Sequence, residues 1–404
     1  MTRAAPAGLA ILLVVAVWGV MHVGWYAHGQ ITDYGEYQMY GDNIVHYDKA
    51  PYKDFPVEYP PAALPAFVVP SLLERYDYRH VFQALMFLCD VGLVLGVGVI
   101  AGRRAAALAA LASLALGSVL LSRFDLWPAA LAVLAVAALV RNRLAVSALL
   151  LGTAFAAKLW PAVLVPVVLI WLVRTHGGRG AAAWTAGAVA TAAAWFIPFA
   201  LLSPRGVGHS FHVQLARPLQ LESLGSSILL AVHQVAGTTI HLTSSYGSQN
   251  VTGPGAHAAA IVTSIAEVLA LALVVVLFAR GPATNGRFVT YLAASIVAVV
   301  AFGKVFSPQY MIWLIPFVLL VPGFGGALAS ILLFASLVLT QLWFPSHYWD
   351  LAAFAQLQTW ELLARDLSVV ALLVVIVRAG LQHEMLGEHR SRLEALQRVR
   401  AQVE

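Results

Sequence analysis

The sequence predicts an all-α polytopic membrane protein with about twelve transmembrane helices, and juxtamembrane helices in the first outer loop. Three observations carry that reading. Of 404 residues, 60% are hydrophobic and 11% are charged, and the mean hydropathy of +0.81 lies outside the range of soluble globular proteins. Apolar runs of spanning or near-spanning length recur along the whole chain, without the alternating pattern of a membrane barrel. Arginines and acids also divide between alternate loops, as the positive-inside rule requires.

The first run, 7–27, follows one basic residue and resembles a signal sequence. Its long apolar core, with no small-x-small cleavage site before His28, predicts an uncleaved anchor. Further spans are expected at 79–101, 105–121, 124–140, 143–158, 160–174, 181–202, 256–279, 287–303, 309–322, 325–344 and 358–379. The piece 61–74 is too short and too proline-broken to cross, and is expected to lie at the interface. Residues 1–380 thus form a single transmembrane domain, and the alternating charges of 381–404 predict a cytoplasmic tail helix on the membrane surface.

With the N-terminus inside, the cytoplasmic loops hold Arg3, Arg103, Arg104, Arg141, Arg143, Arg174, Arg179, Arg280 and Arg287, and no acid before the tail. The outer face carries the loops 28–78, 203–255 and 345–357 and short turns around Arg123, Lys158 and Lys304. All four lysines fall there, with Trp343, Trp349, most of the acids, and His28, His46, His209, His212, His233, His241, His257 and His347. Positive charge on the side disfavoured for it suits neutralisation of a phosphate at headgroup level. The single cysteine, Cys89, excludes an internal disulfide and a cysteine-based metal site. Outside the tail no basic run is interleaved with aromatics, so nucleic acid is not an expected partner.

The first outer loop is the densest polar stretch. Residues 31–61 hold six of the 13 tyrosines and six of the 19 acids. As a helix, 33–47 sets Asp33, Tyr37, Tyr40, Ile44 and Tyr47 on one face, which fits an amphipathic belt with tyrosine rings against lipid. Residue type and position leave Asp33 open between a catalytic acid and a solvated one. Prolines at 51, 56, 60 and 61 stiffen the following corner, and Pro61 suits the first position of the next helix. That corner either delivers 62–74 to the interface or also sets Glu58 and Tyr59 into a pocket.

Further polar knots recur at outer membrane edges: Arg123-Phe124-Asp125, Lys158-Leu159-Trp160-Pro161, and Lys304 through Ser307-Pro308-Gln309-Tyr310. The Arg123–Asp125 pair suits helix capping, and a single lysine would simply snorkel. A fourth knot, Arg217-Pro218-Leu219-Gln220-Leu221-Glu222-Ser223, follows His209 and His212 in the second long loop. No HExxH, Walker or GxSxG pattern is present, so metalloprotease, NTPase and serine-hydrolase chemistry lacks support.

Taken in order, an outward Asp33, PYxD at 51–54, EYPP at 58–61, RFD at 123–125, KxxP at 158–161, RxxQxES at 217–223 and KxxSPQYxxW at 304–313 resemble glycosyltransferase family 87. The resemblance covers roughly 8–320. It implies a GT-C-type fold and an enzyme that moves a sugar from a polyprenyl phosphate to a glycolipid or polysaccharide acceptor on the extracytoplasmic face of the plasma membrane. Mannose is the leading donor sugar, with arabinofuranose as the alternative. The Ala-, Val- and Arg-rich, lysine-poor composition suits the actinobacterial members.

By the same resemblance Asp33 is the general base, with Glu36 as fallback, and inversion gives an α-linkage. Arg217, Lys304 and Lys158 are the candidates for the donor phosphate. Glu36, Tyr37, Glu58, Tyr59, Arg123, His209, His212, Gln309 and Tyr310 are the candidate substrate contacts. The first loop has no D-x-D acid pair, so no cofactor and no obligatory metal are expected. Two other classes remain. A lipid-linked-sugar transporter would use Asp90 and Glu267 near mid-span, although the halves show no repeat; a scaffold would depend on no single outer acid.

Overall fold

The computed structural model describes residues 5–23 and 31–403, with side chains for 8–23 and 31–382. Arg3, His28 and the end of the first expected span, 24–27, lie outside the described residues, as do the side chains of most of the tail.

The chain folds almost entirely into helices: α1 (Ala5–Met21), α2 (Tyr34–Val45), α3 (Leu64–Ser71), α4 (Tyr78–Ala101), α5 (Arg103–Leu116), α6 (Ser118–Ser122), α7 (Leu126–Val140), α8 (Leu144–Ala157), α9 (Val165–Leu202), α10 (Pro204–Leu215), α11 (Leu224–Ala236), α12 (Ala256–Arg280), α13 (Asn285–Phe302), α14 (Met311–Val318), α15 (Gly323–Trp343), α16 (Tyr348–Ala352) and α17 (Gln356–Val403). Among the described residues, five helical stretches are long and apolar enough to cross a membrane: Tyr78–Ala101, Trp160–Leu202, Ala256–Arg280, Asn285–Phe302 and Gly323–Trp343. The chain is therefore an all-α membrane protein. Shorter apolar helices, such as Gly8–Met21, Leu126–Val140 and Leu144–Ala157, pack among them.

Local chemistry sets the breaks. Asp77 caps α4 by accepting from the Arg79 and His80 amides, and Ser223 and Thr284 cap α11 and α13 in the same way. The expected spans at 160–174 and 181–202 are two halves of one run, interrupted at Gly177, whose φ of 73° suits only glycine. The tail is continuous with α17, without a break at residue 380. In the bundle, α17 packs on α15 and α13, α4 on α5 and α7, α8 on α7 and α9, and α1 on α5 and α4.

Two features of the loops expected on the outer face depart from expectation. Residues 241–252 form an antiparallel hairpin, β1 (His241–Ser245) and β2 (Ser248–Thr252), where a plain loop is expected. Its two-residue turn puts Tyr246 and Gly247 at φ 52° and 66°, the pattern of a tight type I′ hairpin. The second departure is the tyrosine face of α2, which is not a lipid-facing belt. Tyr37 and Tyr40 are buried; Tyr37 stacks on Phe67 at 4.6 Å, and Phe124 sits edge-on to Tyr59 at 4.7 Å. The reason is that α2 lies against α3, where Gly41 lets the Phe67 carbonyl and Ser71 approach. Residues 61–71 are likewise largely buried, with Pro61, Ala62, Ala63, Leu64, Ala66 and Phe67 facing inward.

Candidate active site

The loops expected on the outer face converge on a polar cavity of about 240 Å³. Asp33, Glu36, Glu58, Tyr59, Arg123, Lys158, Arg217, Gln309 and Tyr310 all line it, although they come from six separated stretches of chain. Lys304, His209, His212 and Tyr37 do not. Lys304 donates to the Leu215 carbonyl at 3.0 Å and faces a neighbouring groove. His209 and His212 are exposed on α10, and Tyr37 is fully buried behind the cavity wall.

Asp33 occupies the N-cap position of α2, yet its side chain caps nothing. The carboxylate instead pairs with Arg123 and accepts from the Tyr37 hydroxyl at 3.2 Å. An aspartate at this position normally accepts from the first-turn amides, so the side chain is committed to the cavity. Arg123 also donates to the Ile31 carbonyl at 3.4 Å, anchoring the chain that enters α2. Burial lowers the Arg123 guanidinium to about 10, which leaves it charged at neutral pH. The expected Arg123–Asp125 cap is thus replaced by an exchange of partners. Glu36 engages the Tyr40 hydroxyl.

Asp125 pairs with Lys158 at 2.7 Å and accepts from the Trp313 indole at 2.7 Å. Lys158 lies among rings, 4.9 Å from the Phe124 centroid and 5.3 Å from that of Trp313. Breaking such a buried pair strands the remaining charge. Lys158→Met is therefore expected to destabilise the fold by about 3–5 kcal/mol, and Lys158→Met with Asp125→Asn by much less. Thermal unfolding in detergent reads this out; equal losses in both variants would contradict the pairing.

Arg217 donates to Glu58 at 3.3 Å. Burial raises the Glu58 carboxyl above its usual range, against the opposing pull of Arg217. Arg217 also borders the second space, a groove of about 620 Å³ lined by Ala260, Ile261, Ile265, Val268 and Leu269 of α12 together with Lys304 and His257. Polar cavity and apolar groove therefore meet at Arg217.

The remaining wall has no site role in the sequence reading, although Gln220 and Glu222 belong to the RxxQxES knot. Glu222, Gln220 and Gln214, the hairpin residues Ser244, Gly247, Ser248 and Gln249, and Phe344, Tyr348 and Trp349 all line the cavity. The RxxQxES stretch held a signal for Glu222, but hairpin and C-terminal contributions depend on long-range pairing. Gln220 and Leu221 are pinned by bonds from their amides to the Lys304 and Gln249 carbonyls, each 2.9 Å. Among the membrane-buried acids, Asp90 accepts from Trp18 at 2.8 Å and from Ser113 at 3.1 Å, joining α4 to α1 and α5.

A bundle of apolar helices that closes a charged, aromatic-walled cavity at one end defines a membrane protein built to handle a polar ligand beside lipid. The family model for glycosyltransferase family 87 matches residues 57–308, more than half of the chain, and the chain belongs to that family. It is accordingly a membrane glycosyltransferase, with a sugar donor and an acceptor. The matched interval includes Glu58, Tyr59, Arg123, Lys158, Arg217 and Lys304, while Asp33, Glu36 and the 344–349 wall lie outside it. No curated protein matches the chain.

Proposed function

We propose that this protein transfers a sugar, mannose in the leading case and arabinofuranose in the alternative, from polyprenyl phosphate to a cell-envelope glycolipid or glycan. The observation that carries the reading is the position of Arg217, at the junction of a polar cavity sized for a sugar and an apolar groove on α12. A lipid-linked sugar phosphate has the same three parts in the same order. Arg217 would hold the phosphate, with Lys304 at the groove side, so that positive charge meets the negative charge developing on the leaving group.

Asp33 would take the proton of the acceptor hydroxyl as general base. Arg123 and Tyr37 hold one of its carboxylate oxygens, which fixes the orientation of the group. In-line attack inverts the anomeric centre, so a β-linked donor gives an α-linked product. The polyprenyl phosphate sugar is a co-substrate, and the reaction needs no obligatory metal: charge neutralisation falls to the arginines and Lys304. The site would face the extracytoplasmic side of the plasma membrane, with both termini in the cytoplasm and twelve spans in a GT-C-type arrangement.

Purified protein in detergent, given polyprenyl-phosphate mannose, an envelope lipid extract as acceptor source and EDTA, is expected to form glycosylated product. Detergent abolishes the transbilayer compartments, so a lipid-linked-sugar transporter would give none. A requirement for added divalent metal would overturn the metal-independent mechanism.

A further inference from the structure

Glu222 belongs to none of the roles above, yet it is the most buried acid in the cavity wall. It is 3% exposed, its Oε2 has no hydrogen-bond partner among the described residues, and it lines the cavity. Three elements fix its backbone. The Leu221 amide bonds to β2, the Gln220 amide bonds to the Lys304 turn, and Arg365 of α17 donates to the Glu222 carbonyl at 2.7 Å. Arg365 is itself held from several sides: it is fully buried, stacked 3.7 Å from the Phe306 centroid and paired with Asp366 at 2.8 Å. So much order around an acid with an unpartnered oxygen favours ligand contact over support of the fold.

The neighbours add aromatic surface. The Tyr348 phenol adjoins the Glu222 carboxyl, and Trp349, 64% exposed at the cavity edge, packs edge-on to Tyr348 at 5.3 Å. A fixed carboxyl beside a flat ring is the chemistry that grips a pyranose or furanose: the oxygens accept from ring hydroxyls, and the apolar C–H face lies on the aromatic ring. We propose that Glu222, with Tyr348 and Trp349, forms the subsite that reads the hydroxyls of the transferred sugar, and that Glu222 sets which sugar the enzyme accepts.

The donor sugar is favoured over the acceptor because Arg217, Gln220 and Glu222 line the cavity from one short segment. Its Arg217 end stands at the groove junction, and its Glu222 end is closed in by Tyr348. A sugar bonded directly to a phosphate at Arg217 falls against that segment. Burial lifts Glu222 to about 7, so near neutral pH the group can either accept from or donate to a hydroxyl. The inference rests on the lipid-phosphate reading of the donor.

The test compares binding of polyprenyl-phosphate mannose with that of bare polyprenyl phosphate by the purified full-length protein. Wild type is expected to bind the mannosylated lipid more tightly. Glu222→Gln, which keeps shape and removes charge, is expected to lose about 10- to 100-fold of that advantage and to leave binding of the bare lipid unchanged. Tyr348→Phe, which keeps the ring, is expected to lose a smaller part. Retention of the full sugar advantage by both variants would overturn the inference. So would intact donor binding in Glu222→Gln with a raised KM for acceptor alone, which would move the subsite to the acceptor. Failure of wild type to bind either lipid would instead refute the donor reading.

Discussion

Asp33→Asn is expected to abolish sugar transfer while the protein still inserts and folds. The substitution keeps the size of the side chain but removes its ability to take a proton. General-base catalysis typically contributes about 10²–10⁴-fold, and a loss of that size in kcat is expected with little change in donor binding. The structure adds a second expectation. Arg123 pairs with the Asp33 carboxylate and ties the 31–33 backbone through Ile31, so Arg123→Lys, which keeps charge but loses the planar fork, should lower kcat less than Asp33→Asn does. Transfer assays on membranes normalised for inserted protein check both. Undiminished transfer by Asp33→Asn would shift the base to another cavity acid, with Glu36 first.

Arg217→Ala is the second large effect. Removing one preorganised donor from a developing charge costs about 10²–10³-fold, and Arg217 is the cation shared by cavity and groove. A fall of about 10²-fold in kcat/KM for the lipid donor, near 2.7 kcal/mol, is expected. Glu58 loses its partner in the same variant, so Glu58→Gln serves as the control for that effect. Lys304→Ala should weaken donor use less, since its ammonium already donates to the Leu215 carbonyl. If both basic variants match wild type at every donor concentration, the phosphate site lies elsewhere.

The helices were legible because hydrocarbon leaves the backbone no alternative, and the apolar runs that predict spans are the runs that form helices. The cavity was legible in part for a related reason. A polar side chain at the end of a span is exceptional in this composition, so Asp33, Glu58, Arg123, Lys158, Arg217, Gln309 and Tyr310 stand out singly in the sequence before the fold brings them together.

Partner choice was not legible. Arg123 and Asp125 are two residues apart, and sequence favours pairing them with each other. The fold sends Arg123 to Asp33 and Asp125 to Lys158, because the backbone changes from extended at Arg123 to helical at Asp125 and each side chain meets a partner distant in sequence. Tyr37 and Tyr40 read as an interfacial face because period alone cannot say whether a helix side meets lipid or another helix. The Gly41 contact with α3 decides it. Glu222 and Tyr348 meet only because α17 returns past the 217–223 turn, a pairing more than a hundred residues long that no local pattern announces.

The most direct test of the account offers the purified enzyme one labelled sugar on two carriers. Polyprenyl-phosphate mannose and the corresponding nucleotide sugar are supplied separately in detergent, with the same acceptor extract, and the linkage of any product is determined. Transfer is expected from the lipid phosphate alone, with an α-linked product from a β-linked donor and loss of that product in Asp33→Asn. Transfer from the nucleotide sugar without any lipid carrier, or a β-linked product from the β-linked lipid donor, would contradict it.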